Sequence, residues 1–196
     1  MLTRRAVVQL GAAMAASPAV LADARRGGPG CGGNTAIAAF VVDNSTAEEQ
    51  AFATTAATRG TRVYRFHGDV GDVYQRRLAP QWRQQGPLAV AGLTRIEPLF
   101  YLERLAWDAG MRVVVLGRHA AQGTQHEFRG PQSTVDFFHD ASRAVEWPSA
   151  LALALSQVPG AVSPLRPLSA VRDALIANDP ALFSWVLAPT RREFSV

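Results

Sequence analysis

Lysine is absent from the 196-residue chain, so all twenty of its basic side chains are arginine. The high isoelectric point therefore reflects guanidinium groups that do not lose their proton, set against sixteen acidic residues. These arginines are scattered and gather on no single helix, which excludes the electrostatic footprint of a nucleic-acid-binding protein. Phosphate-binding signatures are missing as well. No Gly-x-x-x-x-Gly-Lys-Ser/Thr occurs, and no Gly-x-Gly-x-x-Gly follows the first strand-like run, where the chain reads Val41-Val42-Asp43-Asn44-Ser45-Thr46. The Gly-x-Ser-x-Gly elbow of the α/β-hydrolases is also absent. No motif specifies a cofactor, which stays unknown at this level.

Cysteine occurs once, at Cys31, so no intrachain disulfide can form. The preceding Gly27-Gly28-Pro29-Gly30 lacks the apolar residue of a lipoprotein box. Cys31 can then pair only with another molecule or stand as a solvated thiol. No apolar run reaches the ~20 residues of a spanning helix, so no stable membrane anchor is expected.

The amino terminus carries an address. Ala6 to Ala16 is a weakly apolar stretch behind Arg4 and Arg5, and Val20-Leu21-Ala22 offers the side chains a signal peptidase reads, so residues 1–22 read as a signal peptide cleaved before Asp23. Thr3-Arg4-Arg5-Ala6-Val7-Val8-Gln9 resembles the twin-arginine (Tat) signal, with Val7, Val8 and Gln9 where that signal usually has Phe, Leu and Lys. The resemblance covers only these 22 residues. It implies that the Tat translocase exports an already folded protein to the periplasm. Its removal would leave 174 residues, of which 23–34 form a flexible Gly-rich leader and 35–196 have the length of one domain.

From Thr35 the chain alternates short apolar runs with helical stretches, the pattern of β-α-β units on a parallel sheet. Strands are expected at Thr35 to Val42, Thr61 to Phe66, Pro87 to Leu93 and Met111 to Gly117. The intervening helices end at Gly60, Gly86 and Gly110. Ser45 with Glu48 reads as the capping box of the first helix, and Pro80 should kink or split the second. In the third, Phe100 and Trp107 read as packing residues. Strand two mixes Arg62 and Arg65 into its run, which suits a sheet edge, whereas strands one, three and four are nearly all apolar. The expected fold is α/β and three-layered, a mainly parallel sheet of order 2-1-3-4 with a fifth, antiparallel strand at Thr124 to Gly130. Residues 131–190 read as helical, with helices at Asp140 to Glu146, after Pro148, after Ser169 and after Pro180.

In such a sheet, ligands bind beyond the carboxyl ends of the strands where strand order reverses. Those ends supply Asp43, Asn44 and Ser45, then His67 and Asp69, then Thr94 and Arg95, then Arg118 and His119. Helix amides after Ser45 and Arg95, with the guanidinium groups of Arg95 and Arg118, would suit a small anionic molecule. Serine chemistry would need Ser45 with His67 or His119 and Asp43 or Asp69. The four histidines (His67, His119, His126, His139) lack the close spacing of a metal site, so none is expected. The expected function is therefore an exported periplasmic protein that binds a small molecule or assists a partner enzyme. A small hydrolase, metal-assisted or not, at the same crevice and an escort for a Tat-exported partner protein are the alternatives.

Overall fold

A computed structural model describes residues 37–120, 125–157 and 180–190. The expected signal peptide, the leader and the helix after Ser169 lie outside the described residues. Strands β1 (Ala39–Asp43), β2 (Arg62–Phe66) and β3 (Val90–Thr94) pair in parallel, β2 beside β1 and β1 beside β3. All five residues of β1 and of β3 are buried, whereas Arg62 and Arg65 of β2 are exposed. The mixed composition of β2 thus marks an edge, as expected.

Helices cover both faces of the sheet. Helix α1 (Ala47–Thr58) packs Phe52, Ala53 and Ala56 with Phe40 and Val42 on one face. On the other lie the short α2 (Gly71–Val73), α3 (Ala79–Gln85) and α4 (Ile96–Ala106), with Leu99, Leu102 and Ala106 against Val41, Val90 and Met111. Each large apolar side chain so buried contributes roughly 1.5–3 kcal/mol. Between α2 and α3 the segment Tyr74–Leu78 forms a π-turn, in which Ala79 N–H donates to the Tyr74 carbonyl five residues back. Pro80 has no N–H to continue the ordinary ladder, and the wider turn precedes it directly. Helix α1 is capped one residue later than expected. Thr46, not Ser45, is the N-cap, and Glu49, not Glu48, completes the box.

The carboxyl-terminal part corrects the expected order. Residues 181–190 form no helix but strand β6 (Leu182–Pro189), antiparallel to both β3 and β4 (Met111–His119). With β5 (His126–Arg129) antiparallel on the far side of β4, the six-stranded mixed sheet has the order β2-β1-β3-β6-β4-β5. Strands three and four are therefore not neighbours. A short run such as Leu182-Phe183-Ser184-Trp185-Val186-Leu187 fits a buried strand or a buried helix by periodicity alone. Its surroundings decide: Phe183, Trp185 and Leu187 enter one core layer, and Val186 and Ala188 enter the other. Gly92 makes the contact possible, because a Cβ there would lie 2.2 Å from the Val41 carbonyl oxygen and 2.4 Å from Trp185 Cζ2.

Two further helices complete the layer over α1. Helix α5 (Gln132–Ser142) begins well before the expected Asp140 and ends at Ser142, so most of the helix expected over Asp140 to Glu146 is a turn, and α6 (Trp147–Gln157) carries Pro148 in its first turn, where a missing N–H is harmless. No helix among the described residues is long and apolar enough to cross a membrane.

Candidate functional site

Strand order reverses between β1 and β3, since the chain leaves β1 toward β2 and returns past it to β3. At the carboxyl end of β1, two acidic side chains grip the same residue. Ser45 Oγ donates to Asp43 Oδ1 at 2.6 Å, and the Ser45 and Thr46 amides donate to Glu49 Oε2 at 3.2 and 2.9 Å. Glu49 is fully buried. Burial, and next the negative Asp43 carboxylate beside it, push its pKa up to about 7, against the lowering effect of its hydrogen bonds to Thr46 and Ser45. Glu49 Oε1 and Asn44 Oδ1 are buried atoms with no hydrogen-bond partner among the described residues. This corner is acidic, which makes it a poor seat for an anion.

The other expected site residues divide into separate places. The Thr94 hydroxyl is buried, accepting from Trp185 Nε1 at 3.1 Å and donating to the Arg95 carbonyl at 2.9 Å, so it anchors β6 to β3. Arg95 is the exposed N-cap residue of α4, without a side-chain capping bond. His67 is exposed after edge strand β2, and Asp69 accepts from the Gly71 amide at 2.7 Å to close a local turn. Arg118 lies 3.9 Å from Glu127 across the β4–β5 pair. Ser45 bonds to Asp43 and to no histidine, so the serine arrangement drawn from these residues is not assembled.

The insertion of β6 builds a different cluster around His119. Gly117 lies opposite Ser184, and a Cβ on it would come within 2.4 Å of Ser184 Oγ and 2.5 Å of Phe128 Cε1. Because that Cβ is missing, Ser184 Oγ reaches His119 Nε2 at 2.8 Å. The other ring nitrogen, Nδ1, meets His126 Nδ1 at 2.7 Å. His119 also stacks on Trp147, with centroids 4.4 Å apart and planes 21° apart. Burial, and then the neighbouring His126, push its pKa down to about 3, so the ring is neutral at ordinary pH. A neutral imidazole has one N–H. His119 therefore donates to one neighbour and accepts from the other, and the Ser184–His119–His126 series has two possible directions. The residue types are those of a nucleophile and its base, but Ser184 is only 3% exposed, with no approach for a substrate carbonyl.

Beside this cluster lies an open groove of about 770 Å³ between the start of β5, the end of α5 and the start of α6. Trp147 and His126 form its inner part, His139, Ser142 and Arg143 its helical wall, and Glu127 a single acidic side chain. Of the expected site residues, His119 touches this region from behind, stacked on Trp147, and Arg118 borders it through Glu127. Sequence reasoning singled out none of Ser184, Trp147 or Arg143. A signal for His126 did exist, since a hairpin joining β4 to β5 pairs His119 with His126. No three His, Cys, Asp or Glu side chains converge on a metal position among the described residues. No protein-family model, curated protein or solved structure matches the chain.

Proposed function

We propose that the chain is an exported α/β ligand-binding protein, carried to the periplasm by the Tat route, whose ligand is a small molecule bearing an anionic group and occupies the groove beside His126. The observation that carries this reading is the groove itself. Its volume of about 770 Å³ falls within the ~300–1,000 Å³ of small-molecule sites. Its wall offers the Arg143 guanidinium and the imidazoles of His126 and His139 over the aromatic surface of Trp147, against the one carboxylate of Glu127. A guanidinium gives a carboxylate or phosphate oxygen a charge-assisted hydrogen bond. The Asp43 carboxylate, strong enough in its effect to help keep the neighbouring Glu49 protonated, repels the same ligand, which moves the proposed site from the β1–β3 crevice to the β5 edge.

Calorimetric titration with inorganic phosphate, citrate and benzoate tests the reading, because these probes differ in charge and aromatic content. At least one is expected to bind. Arg143→Ala should weaken that binding by roughly 10- to 100-fold, the equivalent of about 1.5–3 kcal/mol for a hydrogen bond to a charged group. Arg143 is exposed, so the melting temperature should hardly move. Equal affinity in the variant, or no binding of any probe, overturns the assignment.

A further inference from the structure

Among the described residues, nothing covers an outer stripe of helix α4 and the turn that follows it. Glu97, Tyr101, Arg104, Leu105 and Asp108 follow one another at helical spacing and are all exposed, with Tyr101 at 63% and Leu105 at 38%. Trp107, also 38% exposed, flanks them. The Arg104 guanidinium lies 3.9 Å from the Trp107 ring centroid and 5.1 Å from that of Phe100, which seats it against those rings at the edge of the stripe. Neither Arg104 nor Glu97 makes an ion pair among the described residues.

We infer that this face is a homodimer surface, on which α4 of a second copy packs antiparallel about a two-fold axis near Tyr101. The charges favour a copy of the same chain. Glu97 and Arg104 stand seven residues apart, about 10 Å along the helix, with Tyr101 between them. They are too far apart to meet on one helix. A two-fold axis between residues 100 and 101 brings residue 97 of each copy beside residue 104 of the other, so both charges find their opposites and the two tyrosine rings meet close to the centre. Such an interface is isologous and closes after two copies. One eleven-residue helix offers an area at the low end of specific interfaces, so the association should be weak and visible only at high micromolar concentration.

Analytical ultracentrifugation of the full chain between ~5 and ~300 µM tests this. The weight-average mass should rise toward twice the monomer value. Tyr101→Glu should hold the chain monomeric with an unchanged melting curve. Glu97→Arg and Arg104→Glu should each weaken association at least tenfold, and the double variant E97R/R104E should restore most of it. That rescue separates pairing of like copies from general loss of surface. A wild-type chain that stays monomeric to ~300 µM overturns the inference and leaves the face to a different partner. Association that survives Tyr101→Glu, or that the charge exchange does not restore, overturns it as well.

Discussion

Glu49 and His119 are buried ionisable side chains whose environments pull stability in opposite directions with pH. His119 titrates near 3 in the folded chain and near its ordinary ~6.5 when unfolded. Between those values the unfolded chain holds the extra proton, so stability is lost as pH falls from about 6.5. Glu49 is raised from 4.5 to about 7. There the folded chain holds the extra proton, and the contribution present below about 4.5 is lost as pH rises through 7. In urea denaturation, His119→Gln should gain on the wild type as pH drops from 7 to 4. Glu49→Gln, which keeps the capping oxygen, should gain on it as pH rises from 5 to 8. Variant curves that run parallel to the wild type would show that neither environment acts this way. Glu49 lies in the first turn of α1, but its burial and its coupling to Asp43 depend on how α1 sits against β1, which the local sequence does not show.

Among the elements, β6 has the most influence on the site, because its insertion between β3 and β4 brings Ser184 to His119 and Trp185 to Thr94. The fit depends on Gly92. Its hypothetical Cβ would meet the Val41 backbone oxygen at 2.2 Å, where no flexible side chain can yield. Gly92→Ala is therefore expected to destabilise the fold by on the order of 3 kcal/mol, the upper range of overpacking, as read by chemical denaturation. A change under about 1 kcal/mol would mean that β3 and β6 are not in this register. Other elements could be read from local signals. The β-α-β alternation located β1 to β4, the arginines of β2 marked an edge, and a hairpin after His119 placed β5 antiparallel. Pro80 announced a break, although not its π-turn form. The run after Pro180 misled because an apolar segment of that length carries no periodicity that separates strand from helix.

For the whole molecule, a strand near the carboxyl terminus that lies in the middle of the sheet ties the two halves together. Truncation after Pro180 should therefore abolish cooperative melting, since β3 and β4 would lose their shared partner and expose both core layers at once. A truncated chain that melts cooperatively would mean that the carboxyl-terminal part is a dispensable flank. The sequence alone determined the α/β class, the parallel β2-β1-β3 unit and the antiparallel β5, because these follow from the hydrophobic period, the turn residues, the handedness of β-α-β crossovers and one short hairpin. Tertiary structure decided the position of β6, the Ser184–His119–His126 series and the groove beside it. The bonds that define them join residues 91 apart for Thr94 and Trp185 and 65 apart for His119 and Ser184. Pairing across such separations is chosen by which surfaces complement one another when the layers close, and no local pattern carries that choice.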